Sequence, residues 1–282
     1  MLENILIILL IAVIIVVGVI VCDSNRFVIR EYSVSSDKIS KDYTFIVLSD
    51  LHCKSYGDNN KKLLDAIENI RADACLIPGD MITAVPGKET VIPVKLLTKI
   101  HELMPVYYSF GNHEYRAKIY TEVYDRMFNE YEEALSENGI SMSDNIKEAF
   151  GEIDIYSLSI GKEYYRRFKS VKMKGDYIES KLGECDKDRF SILLAHNPEY
   201  FEAYTQYGAN LVLSGHVHGG LVRLPFIGGM VSPKVRFFPK YDGGRFDKEE
   251  TSMIVSRGLG NHSIPIRFNN PGEIVVIHVK RS

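Results

Sequence analysis

Thiolate chemistry is what this sequence is poorest in. Its four cysteines, Cys22, Cys53, Cys75 and Cys185, form no CxxC pair and follow no regular spacing, so neither a disulfide framework nor a thiolate zinc site is indicated. Cysteines without partners lean toward a reducing compartment. An excess of positive charge is missing as well. The formal net charge is -3, whereas nucleic-acid binding usually calls for a basic face, so no nucleic acid is expected as a partner. With 45% hydrophobic and 25% charged residues over 282 positions, the composition is ordinary globular material with room for one large domain or two small ones.

The N-terminal segment lacks polar breaks. Residues 5–21 are apolar throughout and would make about 25 Å of helix, the lower limit for crossing a bilayer. A membrane anchor is the first reading. A cleaved signal peptide competes, but no Lys or Arg precedes the run and no Ala-x-Ala-like site follows it. Val21 stands where a lipoprotein would carry a small residue before Cys22, and the want of any polar face disfavours a buried core helix. Arg26 and Arg30 after the run, and Glu3 before it, tilt the main domain toward the cytoplasmic side, although Asp23 and Glu31 offset part of that charge. The expected organisation is an anchor at 1–22, a linker at 23–42 with room for one edge strand, and a single catalytic domain at 43–282.

From residue 44 the chain alternates. Apolar runs of strand length occupy 44–48, 74–77 and 106–110. Helical patterns lie between them: one starts near Asn59 with Leu63, Leu64, Ile67 and Ile70 on one stripe, and one spans 91–104. This order implies parallel pairing in an α/β core. Further on, 120–135 reads as one amphipathic helix that stops near Gly139, 153–160 as a strand, and 161–189 as charged and unpatterned. Two more apolar strands follow, at 190–194 and 211–213.

The polar residues fall at strand ends. Asp50 and His52, Asp80, Asn112 and His113, His196, and finally His216 and His218 each come just after an apolar run, at the edge of an α/β sheet where ligands bind. Taken singly, Asp50 could cap a helix, Gly79-Asp80 and Gly111-Asn112 could be turns, and His216 with His218 could be a surface or core pair without metal. Repetition at successive strands is hard to assign to turn chemistry alone. His216 and His218 are two apart, so in a strand both side chains face one way with Cα atoms about 6.5 Å apart. Two neighbouring metal ions, typically about 3.5–4 Å apart in two-metal hydrolases, could be served by such a pair.

The ordered set Asp50-x-His52, Gly79-Asp80, Gly111-Asn112-His113-Glu114, His196 and Gly215-His216-x-His218 resembles the calcineurin-like metallophosphoesterase superfamily. The C-terminal blocks Arg223-Leu224-Pro225, Phe238-Pro239-Lys240-Tyr241, Arg257-Gly258-Leu259-Gly260 and Pro265-Ile266-Arg267-Phe268 are similar to a bacterial membrane-bound or wall-associated phosphodiesterase branch. That branch includes relatives that cleave the pyrophosphate of UDP-diacylglucosamine. Val217 and Leu221 depart from the residues common in relatives, at positions that are not ligands in the family. The resemblance implies a calcineurin-like four-layer α-β-β-α sandwich of the α/β class, here preceded by one N-terminal transmembrane helix.

It further implies one divalent ion on Asp50, His52, Asp80 and His218 and a second on Asp80, Asn112, His196 and His216, with Asp80 bridging. His113 would be the general acid or charge stabiliser. The mixture of carboxylate, amide and imidazole suits Mn, Fe or Zn. A glycine- and proline-rich stretch at 219–246, with Arg223, Lys234, Arg236, Lys240 and Arg245 among aromatic residues, could grip a second phosphate or a lipid headgroup, or be a solvated loop. Arg257 and Arg267 raise the same choice. The expected activity is two-metal phosphoester hydrolysis, on a diester or pyrophosphate that the anchor suggests is lipid-linked. A monoesterase or protein phosphatase with the same site, or a non-catalytic membrane scaffold, are the alternatives.

Overall fold

The computed structural model describes residues 1–166, 171–220, 222–224, 226, 228–230, 238–261 and 265–282. Lys234 and Arg236 of the expected phosphate-gripping stretch, and Leu221, lie outside the described residues.

Helix α1 (Leu2–Asn25) comes first, its apolar side chains exposed on all sides. Its length and apolarity are those of a membrane span or a signal sequence. Strand β1 (Phe27–Ser36) begins after a single intervening residue, Arg26. Half of the stretch 23–42, expected as a linker with room for one edge strand, is that strand: β1 pairs in parallel over its whole length with the last strand of the chain. The alternation that ends at buried Val34 puts every second side chain of β1 on the protein side, which makes it an edge strand rather than a tether.

The alternating units follow as expected. They are β2 (Tyr43–Val47), α2 (Lys61–Ile70), β3 (Ala74–Ile77), α3 (Val91–His101) and β4 (Val106–Ser109). Strands β2, β3 and β4 are parallel neighbours. Helix α4 (Asn112–Ile119) is one that periodicity does not announce, because only Glu114 and Ala117 are buried along it. The single amphipathic helix expected at 120–135 is two, α5 (Thr121–Tyr124) and α6 (Met127–Ser136), broken where Asp125 takes a φ of 51°. No right-handed helix continues through that backbone angle.

Strands β5 (Met142–Ser143), β6 (Ile146–Phe150) and β7 (Ile153–Leu158) lead into a segment whose pattern is weak but which contains α7 (Gly175–Leu182), anchored by buried Ile178. The chain then forms β8 (Phe190–Ala195), α8 (Phe201–Tyr207), β9 (Leu211–Ser214), the short pair β10 (Arg223–Leu224) and β11 (Gly228–Gly229), β12 (Gly244–Lys248), β13 (Thr251–Val255) and β14 (Gly272–Arg281).

Two six-stranded sheets result, ordered β1-β14-β2-β3-β4-β5 and β12-β13-β9-β8-β7-β6. Alternation inside the apolar strands sorts side chains between layers. Phe45 and Val47 of β2 meet Ile192, Leu194, Leu211 and Leu213 between the sheets, while Ile46 turns outward to Leu63, Ile67, Leu96 and Ile100 on the helices. On the other sheet Leu193 and Val212 turn outward to Ile178, Phe201 and Tyr204. The layers are thus helix, sheet, sheet, helix, and strands buried on both faces read as continuous apolar runs.

Candidate metal centre

The C-terminal ends of β2, β3, β4, β8 and β9 meet where the two sheets adjoin, and each carries its polar residues there. Asp50 and His52 follow β2, Asp80 follows β3, and Asn112 and His113 open α4 after β4. His196 follows β8, and His216 and His218 follow β9. The sheets bring these groups together. His218 Nε2 lies 3.3 Å from Asp50 Oδ1 and 3.1 Å from His52 Nε2. His196 Nε2 lies 3.0 Å from Asp80 Oδ2 and 3.8 Å from Asp50 Oδ1. Among the described residues, three sets of side chains have ligand atoms close enough to hold an ion: Asp50, His52 and His218; His52, Asp80 and His113; and Asp80, His196 and His216. Asp80 belongs to two of them.

The backbone around these groups is unusual. Asp50, His52, Asp80, His216 and His218 all adopt positive φ, from 51° to 70°, a region few non-glycine residues enter. Each such residue costs of order 1 kcal/mol or more, and such costs cluster at functional sites. Close approach is enforced by glycine at two points. A Cβ on Gly215 would collide with Ser49 and Asp50, and one on Gly111 with the Asp80 carboxylate.

Fixed donors hold the carboxylates. Asp50 accepts from the Ser49 hydroxyl at 2.5 Å and from His216 N at 3.1 Å. Asp80 accepts from His113 N at 2.8 Å, an amide in the first turn of α4 where the helix dipole favours negative charge. Burial works against both charges, yet the facing imidazoles, His218 for Asp50 and His196 for Asp80, hold both carboxyls below the usual range. Burial also opposes a proton on His196, but Asp80 and Asp50 overcome it and push the imidazole up to about 9. His52, buried and facing His113 and His218, is held well below the ordinary value.

The residues suit a divalent cation. Asn112 Oδ1 and His196 Nδ1 are buried with no hydrogen-bond partner among the described residues, which is costly unless another group satisfies them. Two carboxylates, an amide oxygen and imidazoles are a hard-to-borderline donor set of the kind that binds Mn, Fe or Zn.

His113 is committed differently. Its Nδ1 accepts from Ala84 N at 2.8 Å, so the ring proton sits on Nε2, the other nitrogen. Burial lowers the tendency of this ring to take a second proton, and the neighbouring Asp80 only partly offsets that.

Several contributors were not visible as such in the sequence. Glu114, fully buried, accepts from Asp80 N at 2.9 Å, Gly111 N at 3.0 Å, Ile82 N at 3.1 Å and Tyr108 OH at 2.7 Å. Burial and Asp80 raise its carboxyl to about 7 against the pull of those donors. The capping-box spacing, Glu three residues after the helix N-cap, was the available signal. Tyr165 packs its ring 5.4 Å from that of His216, and nothing in its charged surroundings points to it. Asn270 donates to His218 O and Gly220 O, both at 2.7 Å, and so fixes the histidine loop.

The cations expected at the substrate fare unevenly. Arg267 is 2% exposed and donates to the carbonyls of Gly260, Asn270, Arg257 and Gly258. These bonds brace the loop that carries Gly258 and Gly260. Arg223 likewise bonds Gly219 O at 2.9 Å and pairs with Asp242 at 3.0 Å. Arg257 stays beside the histidine loop, where a Cβ on Gly219 would fall 3.0 Å from its Cγ, and lies 3.7 Å from buried Glu273.

Fold, strand-end placement and donor set together define a metal-dependent hydrolase of phosphate esters. The chain belongs to the calcineurin-like phosphoesterase family, whose model matches residues 43–220, and is a phosphoesterase. The metallophosphoesterase YkuE of Bacillus subtilis is 29% identical over 246 residues, covering 84% of this chain and 79% of that one. A Helicobacter pylori metallophosphoesterase is 27% identical, covering 89% of this chain, which in turn spans 63% of that relative's length. A solved dimetal phosphatase from Danio rerio aligns with 77% of this chain and 87% of its own at 12% identity, with a TM-score of 0.42.

Proposed function

We propose that the protein hydrolyses a phosphodiester or pyrophosphate bond in a membrane-associated substrate, with two divalent ions held at this site. Asp50, His52, Asp80 and His218 would hold one ion and Asp80, Asn112, His196 and His216 the other. When bound, such a pair supplies a hydroxide at neutral pH and offsets charge on the phosphoryl oxygens. The chain's own residues do the rest. Asp80 would serve both ions, because its carboxylate lies within reach of His52 and of His196 and His216. The Asp50 and Asp80 carboxylates are held in register by backbone amides. His113 presents Nε2–H to the phosphoryl or leaving-group oxygen, a role its Ala84 contact supports. Arg257, beside the histidine loop, is a candidate for the far end of the substrate, with Arg223 and Arg267 bracing the loops around it.

Residues 1–22 are read as the anchor and 43–282 as the catalytic domain, with a weak lean to the cytoplasmic face. Lipid-linked nucleotide pyrophosphates, as in the UDP-diacylglucosamine branch, head the substrate classes. The observation that carries the reading is the meeting of Asp50, Asp80 and the histidines of two sheets at one edge. Assay of the metal-loaded chain on a diester, a monoester and a UDP-linked lipid tests it, with Asp80→Ala as control. Preference for the diester or the lipid supports the reading, preference for the monoester replaces it with a monoesterase, and no cleavage at any metal loading leaves a scaffold.

A further inference from the structure

The way α1 joins the domain limits where a membrane can lie. The helix ends at Asn25 and β1 starts at Phe27, so no slack separates the two. The junction is tied down as well: Asp23, 2% exposed, accepts from Asn270 N at 3.0 Å, and Lys54 Nζ donates to Ser24 O at 2.6 Å. A helix of 24 residues at about 1.5 Å per residue is just longer than the hydrocarbon thickness of a bilayer. Whatever surrounds its last turn therefore sits at the headgroups.

Asn270 connects that turn to the histidine loop, and its neighbour Asn269 connects it to the β10–β11 hairpin. Asn270, held by Asp23, also holds His218 O and Gly220 O. Beside it, Arg223 N donates to Phe268 O at 3.0 Å, and Asn269 Nδ2 reaches Arg223 O at 3.4 Å, which seats the base of the β10–β11 hairpin next to the end of α1. At the turn of that hairpin Phe226 is 109% exposed with a φ of 67°, an uncommon angle for a bulky residue. Phe238, 59% exposed, is tied to the same unit through Met230 O at 2.9 Å. Ile266 is exposed in the neighbouring segment, and Lys240 is exposed two residues after Phe238. Exposed aromatic rings with a lysine beside them are the composition of a membrane-interface contact.

We propose that the β10–β11 hairpin is a second membrane contact, in which Phe226 and Phe238, with Ile266, enter the headgroup zone of the bilayer crossed by α1. The domain then rests on lipid at two points with the histidine loop between them, and takes phosphoesters that the membrane presents. This rests on the reading of α1 as a span.

The chain contains no tryptophan, so one introduced tryptophan reports alone. Three full-length variants, Ile8→Trp in α1, Phe226→Trp, and Glu250→Trp in the turn between β12 and β13, are placed in nanodiscs of phosphatidylcholine with brominated acyl chains and a scaffold belt free of tryptophan. The proposal predicts that the first two lose most of their emission to bromine relative to unbrominated discs, and that Glu250→Trp loses none. Quenching of Ile8→Trp with Phe226→Trp as bright as Glu250→Trp overturns the hairpin contact and leaves the anchor standing. An unquenched Ile8→Trp overturns both. A Phe226→Trp emission that shifts blue with protein concentration in detergent, and is not quenched in discs, assigns the patch to a second copy of the chain and also overturns the proposal.

Discussion

His113 Nδ1 accepts a hydrogen bond from Ala84 N at 2.8 Å. That contact leaves Nε2–H as the ring's outward donor, beside Asp80, whose carboxylate accepts from His113 N at 2.8 Å. Replacing it with Ala should slow turnover by about 10²–10⁴-fold, the usual range for a lost proton-handling group, while metal content stays that of the parent. His113→Gln, which can still donate from its amide, should recover part of the loss. Steady-state rates with metal content measured on the same samples check both expectations.

Glu114 joins three backbone amides and the Tyr108 hydroxyl. Glu114→Gln turns one acceptor into a donor facing donors, and a buried group left unsatisfied costs about 1–3 kcal/mol. The expected result is a lower melting temperature and weaker metal binding, because the loop carrying Asp80 loses its clasp. Thermal unfolding with and without metal measures both.

Metal and protons should compete at His196. In the metal-free fold Asp80 and Asp50 raise this imidazole to about 9 against the effect of burial, and a metal-bound imidazole must be neutral. Metal binding at neutral pH should therefore release protons, and apparent affinity should rise with pH until about 9. Stability of the metal-free protein follows the opposite sign. A raised imidazole contributes below its ordinary value near 6.5 and loses that contribution as pH climbs through about 9. Asp50 and Asp80, held low, contribute above the ordinary carboxylate value and lose it in acid. Calorimetry of metal binding in buffers of different ionisation heat, and melting curves across this range, test the linkage.

Much of the centre was legible because each group ends an apolar run. Ile46, Leu76 and Leu213 belong to strands buried on both faces, and continuous apolar strands of that kind mark themselves and their ends in any sequence. The parallel order then brings Asp50, Asp80 and His216 to one edge. What stayed hidden depends on contacts rather than on pattern. Helix α4 buries little apolar surface, so periodicity does not reveal it. The break at Asp125 is a single backbone angle in an otherwise regular stripe. Arg267 has the composition of a phosphate ligand and the surroundings of a loop brace, and only the carbonyls of Gly258 and Gly260 tell the two apart. Residues 23–42 look like a connector because an edge strand needs only one apolar face.

The account stands on Asp80 serving two ions at once. Anomalous scattering from crystals grown with manganese, collected on the parent and on Asp80→Ala, tests this most directly. The account predicts two peaks in the parent, one beside Asp50, His52 and His218 and one beside Asn112, His196 and His216, both lost or reduced to one in the variant. A parent crystal with no peak at this edge, or a variant that keeps both, would contradict it.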